Sequence, residues 1–297
     1  MKKTLYFMKK TDNSINNTLN LTIKPKTMKK TLIALSALTL IFSSCKEEEP
    51  LTPKTTDTST DVNFVFKQYY DGYEVTAADF GAKQFLNAKG TSHTISKLQY
   101  LISDITLHKT DGSEVNLGGY NLIDVSQPLS RFYTPAVQIP EGSYSGVSVT
   151  FGFDGNDNKD GAYTDLNAAS WSWPMMIGGG YHFMKFEGMF LDNTSTMKGF
   201  AYHNGTASKM NPNGTRTAEE NHFRVRLWDA NGGFQVKSGE RMTIDINMNI
   251  AEWFKNPILW DLDQYHMMLM PNYTAQKMIN QNGRSVLSLG NVTSPTN

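Results

Sequence analysis

Residues 241–250 read RMTIDINMNI, and the spacing of their apolar side chains indicates the class of fold. Methionine or isoleucine alternates with polar residues at every second position from Met242 to Ile250. Side chains two positions apart share one face of an extended strand, whereas a helix would need apolar residues three or four positions apart. The stretch therefore predicts a β-strand with one face buried in a core.

Similar alternation occurs elsewhere in the chain, over residues 62–66, 98–102, 105–107, 147–153 and 223–227. Its phase shifts at Ser103-Asp104, which predicts a β-bulge. Asp111-Gly112 lies between two apolar runs and predicts the turn of a hairpin. Because Gly, Asn, Asp and Pro separate these runs, the sequence predicts an all-β fold, an antiparallel sandwich or barrel.

Helical patterns are confined to two short segments near the C-terminus, Ile250–Phe254 and residues 272–281. The second is expected to end before Asn282-Gly283. The sequence contains no internal repeat and no second-domain boundary. Residues 62–297 are long enough to build one core, so we expect a single domain there.

The region before this domain carries an export signal. Residues 28–45 read MKKTLIALSALTLIFSSC, in which two lysines, a short apolar run and two serines precede Cys45. This order is typical of a secretory signal peptide over residues 28–44. Cys45, the only cysteine, resembles the lipid-accepting cysteine of a type II signal peptide, although Phe42 replaces the usual leucine. An ordinary signal peptide with an unrelated cysteine is the alternative.

Two further segments flank the signal. Residues 1–27 begin with their own MKK and are either an upstream mis-start or an extended basic region of the signal. Residues 45–61 have almost no apolar side chain and are expected to form a disordered tether. The run 46–49, Lys-Glu-Glu-Glu, resembles the surface-export signal of Bacteroidota lipoproteins, with a solvated linker as the alternative. We therefore expect a lipoprotein of the cell envelope, in the outer membrane and exposed at the surface.

The charge of the exported part argues against nucleic acid as a partner. The whole chain balances 28 basic and 28 acidic residues. Residues 1–44 hold eight lysines and one aspartate, so the remainder has 20 basic and 27 acidic residues. A domain with this acidic excess repels phosphate backbones and anionic lipid surfaces, so only the lipid at Cys45 is expected to hold it at a membrane.

The sequence lacks the usual catalytic signatures, including G-x-S-x-G, HExxH and a glycine-rich phosphate loop. Residues 154–161, DGNDNKDG, suggest a calcium loop, but one frame places Lys159 where glycine is required and the other lacks the bidentate glutamate. A turn is therefore expected there. A hydrolase using Asp154, Asp157 and Asp160 would need a defined spacing in a cleft, so we do not expect an enzyme.

An ordered set of motifs in the domain resembles a known family. Its members are Trp171-Ser-Trp173, Gly180-Tyr181-x-Phe183-x-x-x-Glu187-Gly188, His203-x-Gly205, the strand at 98–107, Leu122-Ile123-Asp124 and the segment 266–282. Together they resemble the MbnP-like domain, the family of the periplasmic copper-binding protein associated with methanobactin. The resemblance covers nearly the whole domain and implies an extracytoplasmic β-sandwich that binds copper.

The resemblance also implies a partner and a modification. In some relatives, histidines bind copper together with a tryptophan that a di-haem partner enzyme has oxidised. Many relatives have an Asn-His pair in the loop after the strand that ends near Phe153, where this chain has Asn158-Lys159. A protonated lysine is a poor copper ligand, which places that part of the site in doubt.

The candidate ligands are His182, His203 and His266, because imidazole is an expected copper ligand where thiolate is absent. A turn near residue 194 would pair 185 with 203 and 187 with 201, which places His203 about one pair from His182. His182 and Met184 are two positions apart and are expected to face the same way.

The candidate aromatic residues are Trp171 and Trp173, either as oxidised residues or as pocket walls. Their alternative is a structural role as anchors of the sandwich. Two readings of function stay open: a copper-binding lipoprotein, and a metal-free sandwich that binds a protein or glycan through the loops at 154–170 and 205–221.

Overall fold

The computed structural model describes residues 61–294. The expected signal peptide at 28–44, the segment at 1–27, Cys45 and the tether up to residue 60 lie outside the described residues. Within 61–294, no helix combines the length and the apolar character that crossing a membrane requires.

Strands dominate the described part of the chain. In order they are β1 (Asp61–Tyr70), β2 (Tyr73–Glu74), β3 (Gln84–Leu86), β4 (Ser92–Lys109), β5 (Glu114–Asp124), β6 (Phe132–Tyr133), β7 (Gly142–Phe151), β8 (Met184–Leu191), β9 (Met197–Asn204), β10 (Ala207–Met210), β11 (Arg216–Glu219), β12 (Phe223–Trp228), β13 (Phe234–Val236), β14 (Arg241–Asn249) and β15 (Leu287–Thr293).

Helices are few and short. The α-helices are α1 (Thr164–Ala168) and α2 (Tyr273–Gly283), and single 3-10 turns cover Ala77–Asp79, Pro128–Arg131, Met175–Ile177 and Ile250–Phe254. Both segments predicted near the C-terminus are therefore helical, and α1 was not predicted. Helix α2 continues through Gly283 and does not end before Asn282-Gly283 as expected. Gly283 packs against the Phe223 ring, where an added Cβ would lie 2.3 Å from it.

Two main sheets form the sandwich. The larger has the order β12-β7-β4-β8-β9, with β3 and β5 also paired to β4 and β13 paired to β7. The smaller has the order β15-β14-β1-β2, with β6 paired to β1. One buried apolar cluster takes side chains from both sheets. The predicted all-β sandwich is therefore confirmed.

One strand pair differs from the predicted antiparallel arrangement. Strands β1 and β14 are parallel, in register from Asp61 with Arg241 to Tyr69 with Asn249. The period-2 pattern of β14 places Ile244 and Ile246 in the core as predicted, where both are fully buried. Alternation specifies which face is buried but not the direction of the neighbouring strand, which depends on how the long connection between the two strands runs.

The two local predictions on β4 are confirmed. The register between β4 and β7 shifts between Ser103 and Thr106, and Asp104 has a φ of 49°. Asp111-Gly112 forms the turn between β4 and β5. The register between β8 and β9 is also the predicted one, with Lys185 opposite His203 and Glu187 opposite Ala201. This hairpin carries the candidate metal centre.

Candidate metal centre

His182 is held by backbone contacts just before β8 begins. Residues 171–173 and 180–182 lie antiparallel around a bridge between Ser172 and Tyr181. The His182 backbone N–H donates to the Trp171 carbonyl at 2.8 Å, and its ring Nδ1 lies 3.0 Å from the same oxygen. A carbonyl only accepts hydrogen bonds, so Nδ1 carries the proton and Nε2 keeps its lone pair.

Two tryptophans form a wall beside this imidazole. The Trp173 ring centroid lies 4.9 Å from that of His182 in an edge-on arrangement, and the Trp171 centroid lies 5.7 Å from it. Both tryptophans are 1% exposed. Their indole Nε1 atoms are buried and have no hydrogen-bond partner. The core residue Trp253 has the same property, so it does not by itself mark this site.

His203 comes from the neighbouring strand. Its ring centroid lies 5.4 Å from that of His182, with the planes at 79°. His203 Nε2 lies 3.0 Å from Glu187 Oε1, and Lys97 Nζ lies 3.0 Å from the same oxygen. Strands β4, β8 and β9 thus contribute one residue each to a polar row that ends beside His182.

The electrostatics of the site favour a neutral imidazole at His182. Burial, together with the positive charge of Lys185, lowers the pKa of His182 to about 3. The hydrogen bond from His203 and the contact with Lys97 lower the pKa of Glu187 to about 2. A neutral imidazole is the form that binds a metal, since the protonated ring has no lone pair.

Met184 does not share the side of His182, in contrast to the expectation. Strand β8 begins only at Met184, so the alternation of that strand does not extend to His182. Met184 is fully buried, whereas the ring of His182 contacts His203. His203 pairs with Lys185 and its side chain contacts Glu187, so it lies on the other side of β8.

His266 is not brought to the histidine pair. Its ring packs against Phe190 at 5.4 Å, and its carbonyl accepts from the Ala201 backbone N–H. Phe190 belongs to the buried face of β8, whereas His203 contacts Glu187 on the opposite face. Phe190 pairs with Lys198, five positions before His203, a separation of about 16 Å along the strand.

Within residues 61–294, no group of three or more histidine, cysteine or acidic side chains is arranged to hold a metal ion. The predicted set of three histidines is therefore reduced to the pair His182 and His203. Sequence position alone could not exclude His266, because the face it occupies depends on packing between segments that are distant in the chain.

The loop at 154–161 forms hydrogen bonds with the segment before His182, which the sequence did not predict. Asp154 Oδ1 accepts from the backbone N–H groups of Asn156 and Asp157, which confirms the predicted turn. Asn158 Oδ1 accepts from the Tyr181 N–H, and Asp160 Oδ1 accepts from the Gly180 N–H, both at 2.8 Å. The loop thereby supports the segment that carries His182. Lys159 is exposed.

Other residues of the site also escaped prediction. Lys97 and Lys185 carry no motif, and their positions follow only from strand register. Gln276 of α2 donates to the His203 carbonyl at 2.8 Å and accepts from the Gly205 N–H at 3.3 Å. Glu187 was part of a recognised motif, but its contact with His203 required the observed pairing of β8 with β9.

Comparisons with known proteins identify the family of this chain. The MbnP family profile matches residues 59–270. Among solved structures, MbnP from Methylosinus trichosporium is similar, with 15% sequence identity and a TM-score of 0.45 over 67% of this chain and 78% of that one. No curated protein sequence matches. Since the family match covers well over half of the sequence, the chain belongs to the MbnP family.

Proposed function

We propose that this protein is a lipid-anchored, extracytoplasmic copper-binding protein in which His182 and His203 are the metal ligands. The observation that carries the proposal is the juxtaposition of these two imidazoles, 5.4 Å apart between ring centroids, beside Trp171 and Trp173. The role is one of binding rather than catalysis. Its expected place is the outer membrane, with the domain exposed at the cell surface.

The residues present fit copper by their chemistry. Imidazole nitrogen is a ligand that copper prefers when thiolate is absent. The Trp171 carbonyl fixes the His182 ring so that Nε2 is free, as is usual for metal-binding histidines. When bound, copper would supply a redox-active cation at this point.

The family resemblance adds a partner to the proposal. A di-haem enzyme would oxidise Trp171 or Trp173, and both indoles lie against His182. Intact-mass spectrometry of the protein purified from its native host, followed by peptide mapping, identifies the modified residue. An unmodified mass for both tryptophans in a copper-loaded sample would contradict this part of the proposal.

The copper site itself is tested by metal analysis. We expect about one copper per chain in the wild type after incubation with copper and removal of the excess. His182→Ala and His203→Ala should each lose most of it, whereas His266→Ala should retain the wild-type amount because its ring packs on Phe190. Far-UV circular dichroism checks that all variants fold. Absence of copper from the wild type, or equal copper in all four proteins, would overturn the assignment.

A metal-free interaction module is the second candidate. It is favoured by the exposed Lys159, at a position where the family resemblance implies an imidazole, and by the exposed Met175 and Met176 in the segment after Trp173. A wild-type protein without copper would favour this candidate. The segment at 205–221, expected to be a loop, is a hairpin of β10 and β11, and the segment at 154–170 includes α1. An affinity pull-down from envelope extract would then test this candidate, with a variant altered in these two segments as the control.

A further inference from the structure

The contact between Glu187 and His203 indicates which ring nitrogen of His203 carries a proton. Glu187 Oε1 is approached by two groups, Lys97 Nζ and His203 Nε2, each at 3.0 Å. An ammonium group can only donate and a carboxylate oxygen can only accept. The shared oxygen is therefore the acceptor for both groups, and His203 Nε2 carries a proton.

The position of Glu187 is determined by strand pairing. Lys97 of β4 lies directly opposite Glu187 of β8, and His203 of β9 is the diagonal neighbour, two positions from the Glu187 partner Ala201. Diagonal neighbours on one face of a sheet are within reach of long side chains. The Lys97 contact holds the carboxylate from one side while His203 contacts it from the other.

We propose that Glu187 is a positioning residue, which fixes His203 as the tautomer with a proton on Nε2 and so selects Nδ1 as its copper-binding atom. His182 has the opposite tautomer, since its Nδ1 donates to the Trp171 carbonyl. The two ligands would therefore offer different nitrogens, Nε2 from His182 and Nδ1 from His203. This inference rests on the proposed copper function for its consequence but not for the tautomer itself.

The tautomer is tested on the copper-free protein. Long-range proton–nitrogen correlation spectra of protein labelled with ¹⁵N-histidine report which ring nitrogen of His203 is protonated, and His203→Ala assigns the signal. In the wild type we expect the Glu187 carboxylate to hold a proton on Nε2 of His203. A His203 ring whose proton sits on Nδ1 while Nε2 is bare would overturn the inference whether or not copper binds.

Two substitutions of Glu187 distinguish the effect of its hydrogen bond to His203 from the effect of its negative charge. Glu187→Gln keeps an oxygen that accepts from Lys97 and His203, so the Nε2–H tautomer should persist. Glu187→Ala removes the acceptor, so the two tautomers should become mixed. Glu114→Ala is the matched control, because Glu114 Oε1 lies 2.9 Å from His108 Nδ1 in another strand pair. It should leave the His203 signals unchanged.

Copper affinity then distinguishes this inference from the proposed function. In a competition titration we expect Glu187→Ala to bind copper about 10–100-fold more weakly than the wild type, as is usual when an outer-shell partner of a metal-binding histidine is lost. Glu187→Gln should lose less, and Glu114→Ala should bind within about twofold. Equal affinity of the wild type and Glu187→Ala would overturn the positioning role and leave the copper site standing. Absence of copper from the wild type would overturn the proposed function, and the spectra alone would decide the tautomer.

Discussion

Buried imidazoles in this protein have different surroundings, and these determine what each can do. His182 has its Nδ1 hydrogen bonded and its ring beside a second imidazole, and it is proposed above as a metal ligand. His93 lies instead among the rings of Tyr70, Phe85 and Phe254. It is 1% exposed, and its Nε2 has no hydrogen-bond partner. His93 is therefore a core residue with an ionisable group.

This burial predicts that the protein loses stability in acid. Burial lowers the pKa of His93 from 6.5 to about 4, so the unfolded chain binds a proton between these values while the folded protein does not. The free energy of unfolding should therefore decrease as the pH falls from about 6.5 to about 4, by about 3 kcal/mol from this group. Urea unfolding across this range measures the loss.

Two variants isolate the contribution of His93. His93→Leu should show a smaller loss of stability between about pH 7 and about pH 4 than the wild type, because the titrating group is gone. Phe85→Leu disturbs the same cluster without removing the imidazole, so it should keep the wild-type dependence on pH. An unchanged pH dependence in His93→Leu would contradict the prediction.

Gly205 shows why a motif glycine is needed beside the site. An added Cβ at this position would lie 2.5 Å from the Trp173 ring. We expect Gly205→Ala to lower the free energy of unfolding by about 1–3 kcal/mol through overpacking and to displace the indole. Gly199→Ala in β9 is the control, since the nearest atom, Met189 Sδ, would lie 3.8 Å from its Cβ. Near-UV circular dichroism and thermal unfolding measure both effects, and identical results for the two variants would contradict the account.

Among the secondary-structure elements, helix α2 forms hydrogen bonds that hold the end of β9 against the rest of the domain. Gln276 is fully buried, and its amide bonds the His203 carbonyl, the Leu269 carbonyl and the Gly205 N–H. Asn282 similarly donates to the carbonyls of Trp253 and Ile258. Both side chains supply partners to irregular backbone that would otherwise be buried without hydrogen bonds. The helix thus contributes by its polar side chains as well as by apolar packing.

The bracing role of Gln276 is testable by mutation. Gln276→Ala should cost about 1–3 kcal/mol of stability for each buried backbone group left without a partner, because buried polar groups are costly to leave unpaired. It should also weaken copper binding, since the backbone of His203 loses a contact. Lys277→Ala, at the adjacent and more exposed position, should have a small effect on both quantities. Urea unfolding and copper titration measure these changes. Equal behaviour of the two variants would show that the helix does not support the site.

At the scale of the whole molecule, the acidic β-sandwich is proposed to be held at a membrane by a lipid on Cys45. Residues 45–294 contain no other cysteine, so one substitution removes the only thiol. The charge of the domain gives no alternative attraction to an anionic surface.

The proposed anchor predicts how the protein partitions in detergent. When the protein is expressed in a bacterial host that lipidates exported proteins, the wild type should enter the detergent phase after Triton X-114 separation. Cys45→Ser should stay in the aqueous phase, because the acyl chains supply the apolar surface. Ser59→Ala, within the expected tether, should behave like the wild type. Recovery of the wild type in the aqueous phase would contradict lipid attachment.

Local pattern in the sequence was sufficient for individual strands and for the hairpins between neighbouring strands. The alternation at 241–250, the turn at Asp111-Gly112 and the pairing of Lys185 with His203 all follow from neighbours in the chain, because strand period and turn geometry are local properties. The motifs with Trp171 and Trp173 were also sufficient for the family, which the match over residues 59–270 established.

Tertiary structure decided what the alternation left open. The parallel pairing of β1 with β14, the placement of His266 on Phe190 and the contact of Glu187 with His203 join segments that are distant in sequence or depend on side-chain direction. A period-2 pattern states that a residue faces inward or outward, but it does not state which strand lies beside it. The reduction of three candidate histidines to a pair therefore came only from the packed domain, where each ring has one set of neighbours.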